Sequence, residues 1–270
     1  YYDKAGALRD MVQNHLMQLL ALVAMEAPTS MAPEAVRGEK VKVLSALVPF
    51  ANPIDVWRDV VRGQYVAGEE AEDVGYSRAP GVPEGSETET FVAIRAHIHN
   101  WRWNGVPFLL RTGKSLHRRY SEVIVRFRAP PADLFNGPAS LNADFCRLRP
   151  NELVIRIQPD EGIRLRFLVK QPGPGAVMRQ ATLGFDYKDL FPEGSPQAYE
   201  RLLLDAIAGN PTLFIRGDEA EAAWRFCDSI RAGWEAPGAP PPASYTLGSS
   251  GPTEADALFH DCEGAWGDGQ

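Results

Sequence analysis

Apolar residues recur at helical spacing at the start of this chain. Leu8, Val12, His15, Leu16, Leu19 and Val23 fall on one face of a helix of about 3.6 residues per turn. Ala27-Pro28-Thr29 ends that helix, and residues 34–48 predict a second, with Pro33 near its first turn. Residues 69–90 are acidic and rich in Gly, Pro and Ser, the composition of a long surface loop. Beyond them the period falls to two. Residues 91–103 interleave Val92, Ala93, Ile94, Ala96 and Ile98 with larger or polar side chains. Val123, Val125 and Phe127 alternate next, then Leu153, Ile155 and Ile157, then Ile163, Leu165, Phe167 and Val169. Alternation of this kind predicts strands with one buried face. Short links such as Gln158-Pro159-Asp160-Glu161-Gly162 suit antiparallel hairpins. Two more helices are predicted near 196–208 and 218–232, followed by a Pro-rich stretch at 236–242 and a frayed tail over 257–270. The order of helices, strands and helices predicts an α+β fold: a large antiparallel or mixed sheet with helices packed on one face.

Composition narrows the partners. Hydrophobic residues make up 44% and charged residues 23% of the 270 positions, ordinary values for a globular chain. A net charge of −7 argues against a sequence-independent grip on nucleic acid, which needs a basic surface. No apolar run reaches membrane-spanning length, about 18 residues or more, so no membrane partner is expected. Cys146, Cys227 and Cys262 are odd in number and widely spaced, with no CxxC pair, which favours three inert thiols in a reducing, cytoplasmic setting. No internal repeat is visible. No strand–GxGxxG–helix unit is present, and Gly173-Pro174-Gly175 reads as a turn. The opening Tyr1-Tyr2-Asp3 reads as the middle of a longer polypeptide.

Candidate chemistry concentrates at two places. Arg9-Asp10-Met11-Val12-Gln13-Asn14-His15 brings an acid and a histidine to the first helix. A neutral imidazole can act as a base near neutral pH; its place on the stripe with Val12 and Leu16 equally fits a buried core histidine. Five α-helical residues turn the chain by about 140° beyond a full circle. Asp10 and His15 are therefore expected on different faces, and Asp10 reads as a first-turn acid or a ligand contact. In the second place, Arg111-Thr112-Gly113-Lys114 reads as a tight turn that presents Lys114, with Arg119 at the start of the next strand. These are either solvated cations or holders of a polyol or phosphate. Gln158, at a strand end, is either a surface amide or a partner for sugar hydroxyls. His97 and His99 share a strand face without a third ligand of matching spacing, so no metal site is expected. Trp101-Arg102-Trp103 reads as packing, and Arg156, Arg164, Arg166 and Lys170 as one solvated sheet face.

Taken together, these segments resemble the C-terminal part of glucose-6-phosphate dehydrogenase. The resemblance runs through the opening to Leu16, Leu22-Val23-Ala24-Met25-Glu26, the stretches at 37–43 and 62–66, Trp101 to Phe108, Arg111 to Lys114, residues 151–159 and 198–202, and Gly251-Pro252-Thr253-Glu254-Ala255-Asp256. It implies His15 as general base, with Asp10, Lys114, Arg119 and Gln158 as substrate contacts. The reaction implied is oxidation of glucose 6-phosphate at C1, with a hydride passed to NADP or NAD. The resemblance also implies an N-terminal Rossmann-like domain that binds the cofactor and supplies the aspartate orienting the histidine. Neither lies in these 270 residues, so the chain alone is expected to be inactive. A second, structural NADP would need several cations. Arg111 and Arg156 fit that need, while Tyr120 stands where a cation is expected. Association into a homodimer or tetramer through the sheet is implied as well. A non-enzymatic paralogue, serving for dimerisation or sugar-phosphate binding, is the alternative. A His-dependent hydrolase is disfavoured because no GxSxG elbow occurs.

Overall fold

The computed structural model describes residues 1–68, 74–128, 150–173, 177–191, 198–260 and 264–267. In chain order the elements are α1 (Tyr2–Ala7), a π-helical segment (Leu8–Leu16), α2 (Met17–Ala24), α3 (Pro33–Ala46), α4 (Pro53–Asp59), β1 (Val60–Val66), β2 (Phe91–His97) and β3 (Pro107–Gly113). Then follow β4 (Ser121–Arg126), β5 (Glu152–Gln158), β6 (Gly162–Lys170), β7 (Met178–Asp186), α5 (Tyr187–Leu190), α6 (Ala198–Ile207), α7 (Gly217–Glu235) and β8 (Ala243–Thr246). The fold is α+β, as the order of periodicities predicts. The chain divides into two compact units, Tyr1–His117 with Gln197–Leu258, and Arg118–Pro196 with Phe259–Gln270.

The first unit holds a mixed sheet in the order β3-β2-β1-β8, with β8 parallel to β1 and the other pairs antiparallel. Val92, Ile94 and Ala96 of β2 pack into a helical core with Leu8, Val12, Met17, Leu20, Val43, Leu44, Val56, Phe226 and Ile230. The predicted one-sided burial fails for β2, because its alternate residues Phe91, Ala93 and Arg95 are buried too. Phe91 lies 5.6 Å from the Tyr245 ring, centroid to centroid. Arg95 donates to Leu258 O at 2.8 Å, so the turn at Thr253–Leu258 covers the second face. The strand ends at His97; Ile98 makes only an isolated bridge to Leu47, and residues 101–105 form a turn. Trp103 packs on the core and donates to Ala24 O at 2.8 Å, whereas Trp101 is fully exposed. The loop reading of 69–90 also needs correction at its end, where Glu89 and Thr90 are buried. Residues 69–73, Cys146, Cys262, Pro174 and Gly175 lie outside the described residues.

One buried carboxylate joins three helices. Glu219, on the first turn of α7, is wholly buried and accepts from Lys40 Nζ of α3 at 2.8 Å. Gln18 of α2 donates to it at 3.4 Å, and the Arg216 backbone N–H at 3.3 Å. The last contact is a carboxylate reaching back to an orphan amide at a helix start.

In the second unit, β4-β5-β6-β7 form an antiparallel sheet. The register puts Glu122, Arg126, Glu152, Arg156, Arg164 and Arg166 on one face. Of the cations read from the sequence as one solvated face, Arg156, Arg164 and Arg166 are in fact ion-paired, while Lys170 Nζ donates to the carbonyls of Gln171 and Gly173. Asp186 receives Arg156 at 2.9 Å and Arg164 at 3.3 Å, and Glu152 receives Arg126 at 2.6 Å and Arg166 at 3.5 Å. The opposite face carries Val123, Leu153, Ile155, Ile163, Leu165, Leu183 and Phe185. Leu183 is 63% and Phe185 40% exposed there. Near the chain end, Arg126 donates to Ala265 O at 2.6 Å, and Phe259 packs edge to face on Trp266.

Removing one member of a buried ion pair leaves the other uncompensated, at a cost of roughly 3–5 kcal/mol. Glu219→Ala should therefore lower the unfolding free energy of the first unit by about that much in urea denaturation. The double replacement Lys40→Met with Glu219→Leu should recover most of the loss.

Candidate active site

The π-helical segment changes the meaning of the first motif. Its backbone repeat is i→i+5, and the Met17 N–H at its end reaches back to Val12 O. The segment is therefore more loosely wound than an α-helix, with more residues in each turn. Burial follows the winding: Leu8 and Val12 face the core, but the next buried position is Met17, then Leu20, Ala21 and Ala24. The sequence stripe of Leu16, Leu19 and Val23 is displaced by one residue. His15 turns outward and is exposed. This overturns the buried-histidine reading, and His15 makes no hydrogen bond or ion pair among the described residues.

The same winding corrects the expected separation of Asp10 and His15. At roughly 4.4 residues per π turn, positions five apart differ by about 50° rather than about 140°. Asp10 and His15 thus project toward nearly the same side. Asp10 accepts from the Tyr1 hydroxyl at 3.3 Å.

Lys114 does not sit in a free-standing turn. Arg111, Thr112 and Gly113 belong to β3, and Lys114 follows directly. Its N–H donates to Thr90 O at 2.8 Å, and its carbonyl accepts from the buried Tyr245 hydroxyl at 2.8 Å. The backbone is clamped from both sides while the side chain is exposed. A Cβ on Gly113 would stand 2.7 Å from Phe91, so glycine lets β3 close against the core here. Lys114 Nζ lies 4.1 Å from the centroid of the Tyr2 ring, a cation–π contact of about 0.5–1 kcal/mol at an exposed site. Burial pushes the Tyr2 phenol above its ordinary pKa, and the Glu89 and Asp10 charges add to this. Lys114, Tyr2 and Asp10 are therefore neighbours at the mouth of the first helix.

In the second unit, Arg119 precedes β4 and Gln158 ends β5. A register irregularity at Ser121 sets Ser121 opposite Gln158, whose Nε2 donates to the Ser121 hydroxyl at 3.0 Å. Arg118, Arg119, Ser121, Gln158 and Asp160 line one shallow hollow of about 40 Å³. Two of the residues singled out from sequence thus share a polar depression, beside Arg156 and Tyr120. Arg156 is committed to Asp186, and the Tyr120 hydroxyl donates to Gly267 O at 2.7 Å. Arg111 is half-buried in β3, opposite Ala93.

Sequence reasoning passed over Tyr2 and Glu89. The first had the signal of an aromatic beside a candidate ligand-binding motif. Glu89 had none, because an acid flanked by threonines at the end of an acidic loop reads as solvated. In the structure it lines a cavity of about 290 Å³ with Arg9, Arg62, Glu87 and Trp234. Burial raises its pKa, opposed by the hydrogen bond from Leu8 N–H and by the Arg9 and Arg62 charges.

The fold and this constellation define an α+β domain that presents a histidine, an acid and a lysine from a helix start and a strand end. The family model for the glucose-6-phosphate dehydrogenase C-terminal domain matches residues 1–267, and the chain belongs to that family. It is 48% identical over 260 residues to the glucose-6-phosphate 1-dehydrogenase of Mycolicibacterium smegmatis, covering 96% of this chain and 51% of that protein. It is 48% identical over 270 residues to that of Rhizobium meliloti, covering 99% and 53%. A solved glucose-6-phosphate dehydrogenase in complex with its substrate glucose-6-phosphate superposes with a TM-score of 0.85 at 34% identity, over 99% of this chain and 52% of that one. The Mycobacterium avium enzyme gives 0.78 at 35% identity, with the same coverage. The chain spans about half the length of the curated relatives it matches.

The Glu89 carboxyl gives a pH signature. Its pKa is raised in the fold, so the native state binds the proton more tightly than the unfolded chain does. Its contribution to stability is fully present below the ordinary glutamate value of 4.5 and is lost as pH rises through the raised value. Denaturation midpoints of wild type should fall across that window relative to Glu89→Gln, which carries no titrating group there.

Proposed function

We propose that this chain is the substrate-binding and oligomerisation part of a longer, cytoplasmic glucose-6-phosphate dehydrogenase. The complete protein oxidises C1 of glucose 6-phosphate to 6-phosphogluconolactone, the entry to the oxidative pentose phosphate pathway. The observation that carries this reading is the exposed His15, turned out of the core by the π segment and aligned with Asp10, in a chain of this family. His15 is the base. As the C1–H bond gives up its electron pair as hydride, the C1 hydroxyl loses its proton to the imidazole and the carbonyl forms. A positioned base of this kind contributes typically about 10²–10⁴-fold. NADP, held mainly by residues outside this chain, supplies the hydride acceptor when bound.

Asp10 accepts from a sugar hydroxyl. Lys114, held over Tyr2 with its backbone clamped, supplies a fixed positive charge toward anionic oxygen. Arg119 and Gln158 add a fork of donors and an amide to the second unit's polar hollow, groups suited to phosphate and hydroxyl. Among the described residues no helix is long and apolar enough to cross a membrane. The exposed Leu165, Leu183 and Phe185 on the apolar face of the β4–β7 sheet support association of two copies. A non-enzymatic sugar-phosphate-binding paralogue is the competing reading. It predicts glucose 6-phosphate binding without turnover by the complete polypeptide.

Glucose-6-phosphate-dependent NADP reduction by the complete polypeptide tests the assignment. His15→Asn should lower kcat by about 10²-fold or more with little change in KM, the pattern of a lost transition-state interaction. Near-normal turnover in that variant would end the base assignment. For the interface, Leu183→Glu should shift the sedimenting species toward monomer while leaving the unfolding midpoint of the second unit within a few degrees.

A further inference from the structure

The π segment is held at both ends by buried carboxylates. At its start, Glu89 Oε1 accepts from the Leu8 N–H at 2.9 Å, and the Glu89 carbonyl accepts from Ala7 N–H at 3.0 Å and from the Tyr2 hydroxyl at 3.4 Å. Gly6 makes room for this. It adopts φ +68°, and a Cβ there would collide with the Glu89 carboxylate. Two residues past the other end, Gln18 is tethered to Glu219, which Lys40 fixes at 2.8 Å. An i→i+5 ladder is rarer than the α form and is found at functional sites. Here its two ends are tied to Glu89, which precedes β2, and to Glu219 of α7, so relaxing to an α-helix would break one tether or the other.

We propose that Glu89 is a positioning residue: by seating the Leu8 amide it sets where the π segment starts, and thereby brings Asp10 and His15 to one side. Glu89 touches no reacting atom in this account. It acts through the backbone of Leu8, and the interaction requires an acceptor oxygen at the correct reach rather than a charge. Burial already favours the neutral carboxyl, so the amide of glutamine is the closer mimic. Aspartate keeps the charge but is one methylene short. The inference rests on His15 acting as the base.

Steady-state kinetics of the complete polypeptide with glucose 6-phosphate and NADP distinguish these cases, with His15→Asn alongside. Glu89→Asp and Glu89→Ala should lower kcat at least 10-fold with KM changed less than threefold, and Glu89→Gln should restore kcat to within about threefold of wild type. If Glu89→Ala does not fold, the Asp and Gln pair carries the comparison alone. Gly6→Ala, which blocks the carboxylate's seat, should behave as Glu89→Asp does. Aspartate active and glutamine inactive would mean that charge, not reach, matters, and would overturn the proposal. So would normal kcat in Glu89→Ala beside an inactive His15→Asn. A wild-type protein without turnover would instead remove the dehydrogenase reading itself, and the positioning role with it.

Discussion

The Glu219 carboxylate is the constraint on which the helical layer of the first unit turns. It is wholly buried, it caps the start of its own helix, and it receives Lys40 from α3 and Gln18 from α2. A pair of this kind adds little net stability compared with apolar side chains of the same volume, because two charges must be taken out of water. Its effect is on alternatives. Any packing of α2, α3 and α7 that separates these groups leaves a charge buried without a partner. The helix that carries His15 is thereby fixed along its axis and about it.

That fixation matters because the first helix is wound against the commoner choice. An α-helix through residues 8–24 would bury Leu16, Leu19 and Val23 and turn His15 inward. Instead the interval from Val12 to Met17 is five residues, and the whole apolar stripe beyond it shifts by one position. Tertiary contacts supply the preference: Met17, Leu20 and Ala24 join the core with Phe226 and Ile230, while Glu89 and Gln18 hold the two ends. The π winding thus turns His15 out of the core.

The second unit is ordered differently. Its two sheet faces are segregated, with arginines and carboxylates interleaved on one and aliphatic and aromatic side chains on the other. Asp186 and Glu152 each bind two arginines, so these four cations find their partners within the sheet. On the apolar face Phe185 packs against Tyr187, and Leu183 and Phe185 are open to solvent among the described residues.

The sequence alone determined the class of fold, most element positions and the list of chemistry-bearing residues. Period-two runs located β5 and β6 to within a residue, because alternation on an amphipathic sheet is written directly into local composition. The roles proposed for His15, Asp10, Lys114, Arg119 and Gln158 come from motif resemblance, not from physics, since each fits an ordinary surface or core role by spacing alone. The tertiary structure alone decided which way His15 faces, that Arg95 and Glu89 are buried, and that β2 is covered on both sides. Helical periodicity assumes α geometry, so a π insertion is invisible to it; and burial of a charged residue depends on what another part of the chain lays over it, here Leu258 on Arg95 and the first helix on Glu89.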